Sequence, residues 1–226
     1  MTILALTKRQ KSYIIKKIYS RDYPYKSVDR ARRNRKYMSY FRISLAGDLG
    51  SGKSTVGQIL QKRFCADVIS IGKIQREMAE KLGMDTTEFN QYQESHPELD
   101  KELDDRLAAY EKKEGSYIFD SRMAWYFVPS AFSVYLKCNP EEAAERVLYA
   151  KRIDETYQSP EEAFKRLKER RESEVQRYKK FYGVDIMNMT NYALVIDTTG
   201  KSPEAVAEEI VLAWAKTLNL EENAKN

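Results

Sequence analysis

Residues 41–59 read FRISLAGDLGSGKSTVGQI, and this stretch decides the fold. An apolar run that contains Ile43 and Leu45 ends at Gly47, and the residues from Gly47 to Ser54 fit the pattern G-x-x-x-x-G-K followed by Ser or Thr. Beyond the pattern, apolar residues recur at helical spacing. A glycine-rich loop between a strand and a helix is typical of phosphate-binding loops, so the stretch predicts nucleotide binding.

The chemistry of this motif assigns roles to two side chains. Glycines allow successive backbone N–H groups to turn toward one phosphate, and the N-terminus of the helix adds partial positive charge at the same place. Lys53 would reach the β and γ phosphates, and Ser54 would hold Mg²⁺. The alternative is a glycine-rich turn that matches by chance, which is rare because the fixed positions, the strand and the helix must all coincide.

The charge of the chain is unevenly distributed. The 226 residues carry a net charge of +5, but residues 1–40 hold twelve Lys or Arg and two Asp, giving +10 there and −5 elsewhere. We predict a basic N-terminal extension (1–40), one nucleotide-binding domain (41–220) and a polar tail (221–226). Three interpretations of the extension stay open: residues that precede a native start at Met38, a plain solvated tail, or an arm that binds nucleic acid.

Composition excludes several classes of protein. No run of 18 apolar residues is present, and the N-terminus lacks an apolar signal segment, so no membrane association is expected. Cys65 and Cys138 stand in apolar stretches and are expected to pack as small hydrophobic side chains in a reducing cytoplasm. His96, as the single histidine, argues against a histidine metal cluster and is expected at the surface.

From residue 41 onward, strand patterns alternate with helix patterns. The alternation predicts an α/β fold, a three-layer sandwich with a five-stranded parallel sheet. Strands after the first are expected at 67–71, 117–120, 132–138 and 193–198, and helices at 54–64, 72–82, 140–149, 160–181 and 203–218. Residues 86–110 are polar and mostly helical, so we expect them on the rim rather than in the core. Residues 150–159 form a charged connection in this interpretation.

Two segments rich in polar and cationic residues follow predicted strands, at the edge where a doubly wound sheet binds its ligands. Ser70, Gly72 and Arg76 lie at the end of the second strand and just beyond it, and we expect them to face the loop. Asp120 and Arg122 end the third strand. Asp120 would orient Mg²⁺ or its waters, and Arg122 would point at an acceptor phosphate, since a guanidinium is a permanently charged, bidentate donor.

Two further arginine-bearing segments lie later in the chain. The first runs from Glu145-Arg146 to Lys151-Arg152, so that Arg146 lies on a predicted helix and Arg152 in the charged connection. Arg170, Glu174 and Arg177 fall on one face of the long helix, so that Glu174 would fix one of the two arginines. The alternative for both segments is a solvent-exposed helix with ion pairs four residues apart.

Taken in this order, the motifs resemble the cytidylate kinase family, in particular its short branch in archaea and some bacteria. The resemblance covers residues 41 to about 210 and rests on GSGKST, VISIGKIQREMAEKLGM, EFNQYQESHPELDKELDDR, FDSR and RRESEVQRYKKFYGVDI, ahead of VIDT. It implies a P-loop nucleoside monophosphate kinase with helical monophosphate-binding and lid segments. It also implies ATP as the phosphoryl donor, Mg²⁺ as the metal, and CMP or dCMP as the acceptor.

The resemblance implies roles for individual residues as well. ATP phosphates would be bound by the loop residues Gly47, Asp48, Leu49, Gly50, Ser51, Gly52, Lys53, Ser54 and Thr55. The acceptor side would comprise Ser70, Gly72, Arg76, Asp120, Arg122, Glu174 and Arg177, with Glu174 and Arg177 near the base or the phosphate. The transferring phosphoryl group would be neutralised by Lys53, Arg122 and the lid-side arginines Arg146, Arg152 and Arg170.

Three positions depart from the family pattern. Asp48-Leu49 replaces the usual Pro-Pro or Pro-Gly pair of the loop, and Gln75 stands where an aromatic residue is common. Ser121 replaces a glycine, and its side chain is expected to narrow the approach to the acceptor.

Two interpretations of function follow. In the first, the protein is a cytoplasmic, monomeric kinase that acts on small nucleotides. In the second, it is a nucleotide-binding regulatory or nucleic-acid-associated protein with weak or no turnover, which would contact nucleic acid through the basic extension alone. The departures in the loop and the charge of residues 1–40 favour the second, and the order of the motifs favours the first.

A shortened chain that starts at Met38 should keep the turnover and the melting temperature of the full chain, because the extension has few apolar residues to bury. Titration of both proteins with a labelled oligonucleotide at low and physiological salt tests the arm, since binding through phosphate contacts falls steeply with salt. A melting temperature lower by many degrees in the short chain would show that residues 1–37 pack on the domain, contrary to the predicted boundary.

Overall fold

The strand that precedes the glycine-rich loop is the centre of a parallel sheet. In a computed structural model, which describes residues 40–149 and 159–223, this strand (β1, Arg42–Gly47) is buried beyond its first residue. Residues 42–45 pair with 117–120 on one side, and residues 43–47 pair with 132–136 on the other. A parallel strand covered on both faces needs a nearly continuous run of apolar or small residues, and this chain supplies one.

Four more strands complete the sheet in the order β2-β3-β1-β4-β5, with every pair parallel. They are β2 (Asp67–Ser70), β3 (Tyr117–Asp120), β4 (Phe132–Lys137) and β5 (Leu194–Asp197). Parallel neighbours require crossover connections, which here carry helices. The predicted α/β fold with a five-stranded parallel sheet is confirmed.

The five predicted helices start and end within one residue of their expected positions, with one exception. They are α1 (Lys53–Phe64), α2 (Ile71–Lys81), α6 (Pro140–Tyr149), α7 (Pro160–Tyr182) and α8 (Pro203–Asn223). The exception is the end of α8, which extends through residues 219–223 and so includes the start of the predicted polar tail. The polar stretch forms α3 (Thr86–Ser95), α4 (Pro97–Ala108) and a 3₁₀ turn (Ala109–Lys112), and an unpredicted short helix, α5 (Ala124–Phe127), follows β3.

Two hydrophobic cores cover the faces of the sheet and give the three layers. On one face, α1 and α8 pack against the strands, with Phe41 stacked on Phe64 at 3.7 Å between ring centroids and Trp214 edge-on to Phe41 at 4.8 Å. On the other face, α4 and α5 cover β3. The glycine-rich loop is thus anchored on a strand and a helix that are both part of a packed core.

The prediction that residues 86–110 lie on the rim is wrong in part. Leu103 and Leu107 of α4 are buried and pack against Phe119 and Ala124, and Phe89 of α3 is buried as well. A few well-spaced leucines are enough to dock a polar helix, because the apolar stripe need occupy only one side of it. This stretch therefore holds the second core together while its other side stays polar.

The two cysteines differ in their surroundings. Cys138 is buried, as predicted, whereas Cys65 is exposed and ends α1 in a left-handed conformation with φ of 48°. The expectation that Cys65 packs in the core is therefore wrong, because the turn after α1 directs it to the surface. Among the residues that the structure describes, no helix is long and apolar enough to cross a bilayer. Residues 150–158 of the predicted connection and residues 1–39 of the predicted extension lie outside the described residues.

Candidate active site

The loop between β1 and α1 has the backbone of a phosphate cradle. A Cβ atom at Gly50, where φ is +78°, would lie 2.5 Å from the carbonyl oxygen of Ala143, so only glycine fits there. Gly52 precedes α1 with φ of 84° and offers no side chain to cap the helix. The first N–H groups of α1 therefore remain available to an anion, as at other phosphate-binding helix termini.

Lys53 closes over this loop from inside. Its Nζ donates to the carbonyl oxygens of Gly47 at 3.1 Å and Asp48 at 2.8 Å. Burial, together with the nearby positive charge of Arg122, lowers the pKa of Lys53 to about 7. Two neutral carbonyls are weak partners for an ammonium group, so an incoming phosphate would be a better one.

Ser51 has a structural role in the loop. Its hydroxyl is buried and donates to the carbonyl oxygen of Asp48 at 2.8 Å, which tightens the turn. The backbone N–H of Ser51 donates to the same carbonyl oxygen at 3.2 Å, so both donors of this residue belong to the turn. Thr55 lies in the first turn of α1 and is exposed beside a different cavity from the one that Lys53 faces.

The carboxyl ends of β2 and β3 bring a hydroxyl and a carboxylate to the same edge. Ser70 and Asp120 are partners in the sheet register, and the hydroxyl of Ser70 donates to Asp120 Oδ2 at 3.1 Å. Both residues line one cleft with Lys53 and Ser54. The hydroxyl of Ser54 and the carboxylate of Asp120 are the hard oxygen donors that Mg²⁺ prefers.

No group of three or more His, Cys, Asp or Glu residues in the described part of the chain could form a metal cage. A site with two protein ligands still fits Mg²⁺, because this ion commonly keeps several waters and takes the remaining ligands from substrate phosphates.

Opposite the loop, α7 supplies a carboxylate that organises two arginines. Glu174 Oε2 accepts from Arg122 Nε at 2.6 Å, and Glu174 Oε1 lies 3.3 Å from Arg170 Nε. Burial by itself would raise the pKa of Glu174, but the guanidinium groups of Arg122, Arg170 and Arg171 together outweigh burial and hold the pKa at about 2. The sequence prediction that Glu174 fixes one arginine of α7 agrees with this geometry.

Arg177, one turn further along α7, is buried beside the same cleft. Its Nε lies 3.3 Å from Asp100 Oδ2, and Asp100 is held in turn by Gln93 through a 3.0 Å hydrogen bond. The Nη1 atom of Arg177 is buried and has no hydrogen-bond partner among the described residues. A buried donor without a partner is costly, which indicates that a ligand completes this group.

One cleft gathers most of the predicted site. It is bounded by the loop on one side and by α2 and α7 on the other, and its lining includes Leu49, Gly50, Gly52, Lys53, Ser54, Ser70, Gly72, Arg76, Asp120, Arg122, Arg170, Glu174 and Arg177. A lysine and four arginines that converge on one small space indicate a ligand with several phosphate charges.

Arg146 is not brought into this cleft. Its Nη2 donates to the carbonyl oxygen of Thr198 at 2.8 Å, and the side chain lines a separate cavity of about 310 Å³ on the other side of the loop. Arg152 lies outside the described residues. Of the three predicted lid-side arginines, the structure therefore places only Arg170 in the cleft.

Comparisons with known proteins agree with this geometry. The sequence model of the cytidylate kinase-like family matches residues 42–200. The chain belongs to the cytidylate kinase-like family. Cytidylate kinase from Pyrobaculum neutrophilum is 37% identical over 159 residues, which are 70% of this chain and 83% of that protein. The family and its relatives confirm the prediction of a nucleoside monophosphate kinase.

Two other similarities are coarser. The S-adenosylmethionine-dependent nucleotide dehydratase of Lacinutrix mariniflava is 34% identical over 177 residues, which are 78% of this chain but only 36% of that longer protein. Shikimate kinase from Acinetobacter baumannii, solved with shikimate, superimposes with a TM-score of 0.50 at 16% identity and covers 81% of this chain and 97% of that one. This last similarity concerns the fold alone.

Several residues that support the loop and the cleft were not predicted from the sequence. Arg171 of α7 contacts the loop at Asp48, and Gln93 and Asp100 support Arg177 from behind. The sequence contained one signal for Arg171, because a carboxylate in a phosphate-binding loop requires a compensating cation.

Ser121, which was expected to narrow the cleft, lies at the wall of the cleft. Its hydroxyl accepts from the Met123 backbone N–H at 3.2 Å, so the side chain is held by its own turn.

Binding of ATP at about pH 8 should take up about one proton, because Lys53 with a pKa near 7 is mostly neutral in the free protein and phosphates favour its charged form. Calorimetric titration in two buffers of different ionisation enthalpy gives the proton count. Lys53→Met should abolish the uptake, whereas the control Lys62→Met, on the exposed side of the same helix, should keep it. An identical proton count in wild type and Lys53→Met would contradict the assignment.

Proposed function

We propose that the protein transfers the γ-phosphoryl group of ATP to CMP or dCMP. The observation that carries this proposal is the cleft in which Lys53 of the loop faces the arginines of α2, β3 and α7. Two phosphate groups placed end to end need cations on both sides, and this arrangement provides them. The choice of a cytidine acceptor is supported by the relatives named cytidylate kinase.

The transfer requires no covalent enzyme intermediate. An oxygen of the acceptor 5′-phosphate attacks the γ-phosphorus of ATP, and the bond from that phosphorus to the oxygen bridging to the β-phosphate breaks, releasing ADP. Negative charge on the transferring group is stabilised by positioned cations, which is the main contribution of the protein in this class of reaction. Lys53, Arg122 and Arg170 are the residues of this chain proposed for that role.

The loop and the sheet edge would hold the donor. Backbone N–H groups at the start of α1 would receive the β-phosphate, while Lys53 exchanges its two carbonyl partners for phosphate oxygens. Ser54 and Asp120 would hold Mg²⁺, which supplies charge neutralisation to the phosphates when it is bound. The cavity lined by Arg146 adjoins the same loop, and we assign it to the nucleoside part of ATP.

The opposite wall would hold the acceptor. Arg76 and Arg122, with Ser70 and Gly72, would bind the monophosphate, because they line the cleft beyond Lys53. Arg177 presents a buried Nη1 donor that lacks a partner among the described residues. A cytosine ring offers two neighbouring acceptors, N3 and O2, so it would satisfy this donor without further rearrangement.

The cleft must widen before the acceptor enters. Its open volume is about 80 Å³, well below the roughly 300–1,000 Å³ of typical small-molecule sites. The wall formed by α2 is the mobile side in this proposal, because α2 contributes mainly half-buried residues whereas α1 is anchored in the core. Closure over both substrates would exclude water and so suppress hydrolysis of ATP.

A cytoplasmic location, a monomeric state and a lid role for Arg152 remain predictions.

Release of ADP in the presence of CMP, dCMP, UMP or AMP tests the proposal directly. We expect turnover with CMP or dCMP and much less with UMP and AMP. Turnover with AMP alone would overturn the assignment of a cytidine monophosphate as the acceptor. Binding of ATP without turnover on any acceptor would favour the alternative of a regulatory nucleotide-binding protein.

Lys53→Ala should lower the transfer rate by more than about tenfold, because the ammonium group is replaced where charge must be neutralised. The melting temperature should stay close to that of the wild type, since Lys53 hydrogen-bonds, among the described residues, only to loop carbonyls. Lys62→Ala serves as the matched control on α1. A variant that keeps more than a tenth of the rate, a loss below about 1.4 kcal/mol, would show that Lys53 does not clamp the phosphates.

Arg76→Ala should raise the KM for CMP far more than the KM for ATP, because Arg76 faces the acceptor side of the cleft. Steady-state kinetics with each substrate varied in turn give both constants. Lys81→Ala, an exposed charge at the end of the same helix, should change neither. Equal increases in the two constants would contradict the assignment of this arginine to the acceptor.

A further inference from the structure

Asp48 places a carboxylate inside the phosphate-binding loop, where it would oppose the negative charge of a polyphosphate. It follows Gly47 directly, and its own carbonyl oxygen is one of the two that hold Lys53. A like charge beside the ligand weakens binding unless it is turned away or neutralised.

Three donors turn the Asp48 carboxylate toward β4. The hydroxyl of Tyr135 donates to Oδ1 at 2.7 Å, and the backbone N–H of Cys138 donates to Oδ2 at 2.9 Å. Arg171 Nη1 lies 3.0 Å from Oδ1 and supplies the compensating positive charge. Burial raises the pKa of Tyr135 to about 12, so its hydroxyl keeps the proton that it donates.

Arg171 also fixes the position of the loop. Its Nη1 donates to the hydroxyl of Tyr135 at 2.7 Å, and its Nη2 lies 3.3 Å from the carbonyl oxygen of Gly47. Its side chain is only 16% exposed, and that of Asp48 is 25% exposed, so this ion pair is screened less by solvent than a surface pair. The same guanidinium therefore neutralises the loop and ties it to α7.

We propose that Arg171 is a positioning residue for the phosphate-binding loop, which neutralises Asp48 so that the loop accepts a polyphosphate. The inference rests on the proposed function in that the polyphosphate is ATP. It also links the donor loop to the acceptor wall, because α7 carries Arg171 next to the residues that line the cleft.

Four proteins test the proposal: wild type, Asp48→Asn, Arg171→Met and the double variant. Asn loses the charge but keeps one oxygen that can accept from the Cys138 N–H, while its amide NH₂ can donate to the Tyr135 hydroxyl. The affinity for ATP with Mg²⁺ is measured by calorimetry in the absence of an acceptor. We expect Arg171→Met to lower the affinity for ATP by roughly tenfold or more, because it leaves the Asp48 carboxylate without a compensating positive charge. The double variant should bind ATP within roughly threefold of Asp48→Asn.

The double variant separates positioning from direct contact. If Arg171 instead contacts the ATP phosphates, removal of Asp48 cannot restore affinity, and a double variant as weak as Arg171→Met overturns the proposal. Arg166→Met is the matched control, since Arg166 forms an exposed ion pair with Glu162 on the same helix and should leave ATP affinity unchanged.

Two further readouts keep the test decisive. If Arg171→Met does not fold, a folded double variant supports the same compensation, and an unfolded double variant overturns it. Kinetically, Arg171→Met should raise the KM for ATP with less than about a threefold change in the KM for CMP. A wild type that binds ATP but does not phosphorylate CMP would overturn the proposed function, while the binding comparison among the four proteins would still decide the role of Arg171.

Discussion

The cleft concentrates positive charge, and this concentration is the constraint on which the rest of the site depends. Cations that await a phosphate ligand repel one another and lose hydration when they are partly buried. The chain provides internal partners for Lys53, Arg122, Arg170 and Arg177. Glu174 lies between Arg122 and Arg170, Asp100 stands behind Arg177, and the carbonyls of the loop receive Lys53.

The carboxylate and carbonyl partners of these cations differ in how strongly they bind them. A phosphate ligand can therefore displace some of these partners more easily than others. Glu174 has its pKa held near 2 and remains ionised, so its arginines are oriented as a rigid pair rather than released. In the part of the chain that the structure describes, Lys53 hydrogen-bonds to neutral carbonyls alone, and its pKa is about 7, so a phosphate can recruit it at little electrostatic cost. Buried ion pairs of this kind contribute orientation more than stability, because desolvation offsets much of their attraction.

The sequence predicts those parts of the molecule that depend on local pattern. The strand, loop and helix around Lys53 are encoded within 19 consecutive residues, and the alternation of strands and helices indicates the parallel sheet. The burial of Leu103 and Leu107 was not predictable from a polar stretch, because docking depends on which side of a helix meets the sheet. The predicted place of Arg146 beside the transferring phosphoryl group fails for the same reason, since its helix directs the side chain to Thr198 on the far side of the loop.

The pairing of Asp48 with Arg171 shows why such contacts escape a sequence pattern. The two residues are far apart in the chain, and neither belongs to a shared periodicity that would connect them. The sequence does indicate that a positive charge must lie near Asp48, because an aspartate in a loop that binds phosphates must be neutralised by a nearby cation. Arg170 and Arg171 can contact two different carboxylates, since consecutive residues on a helix point about 100° apart. One arginine thus turns to Glu174 in the cleft, and the other reaches the loop.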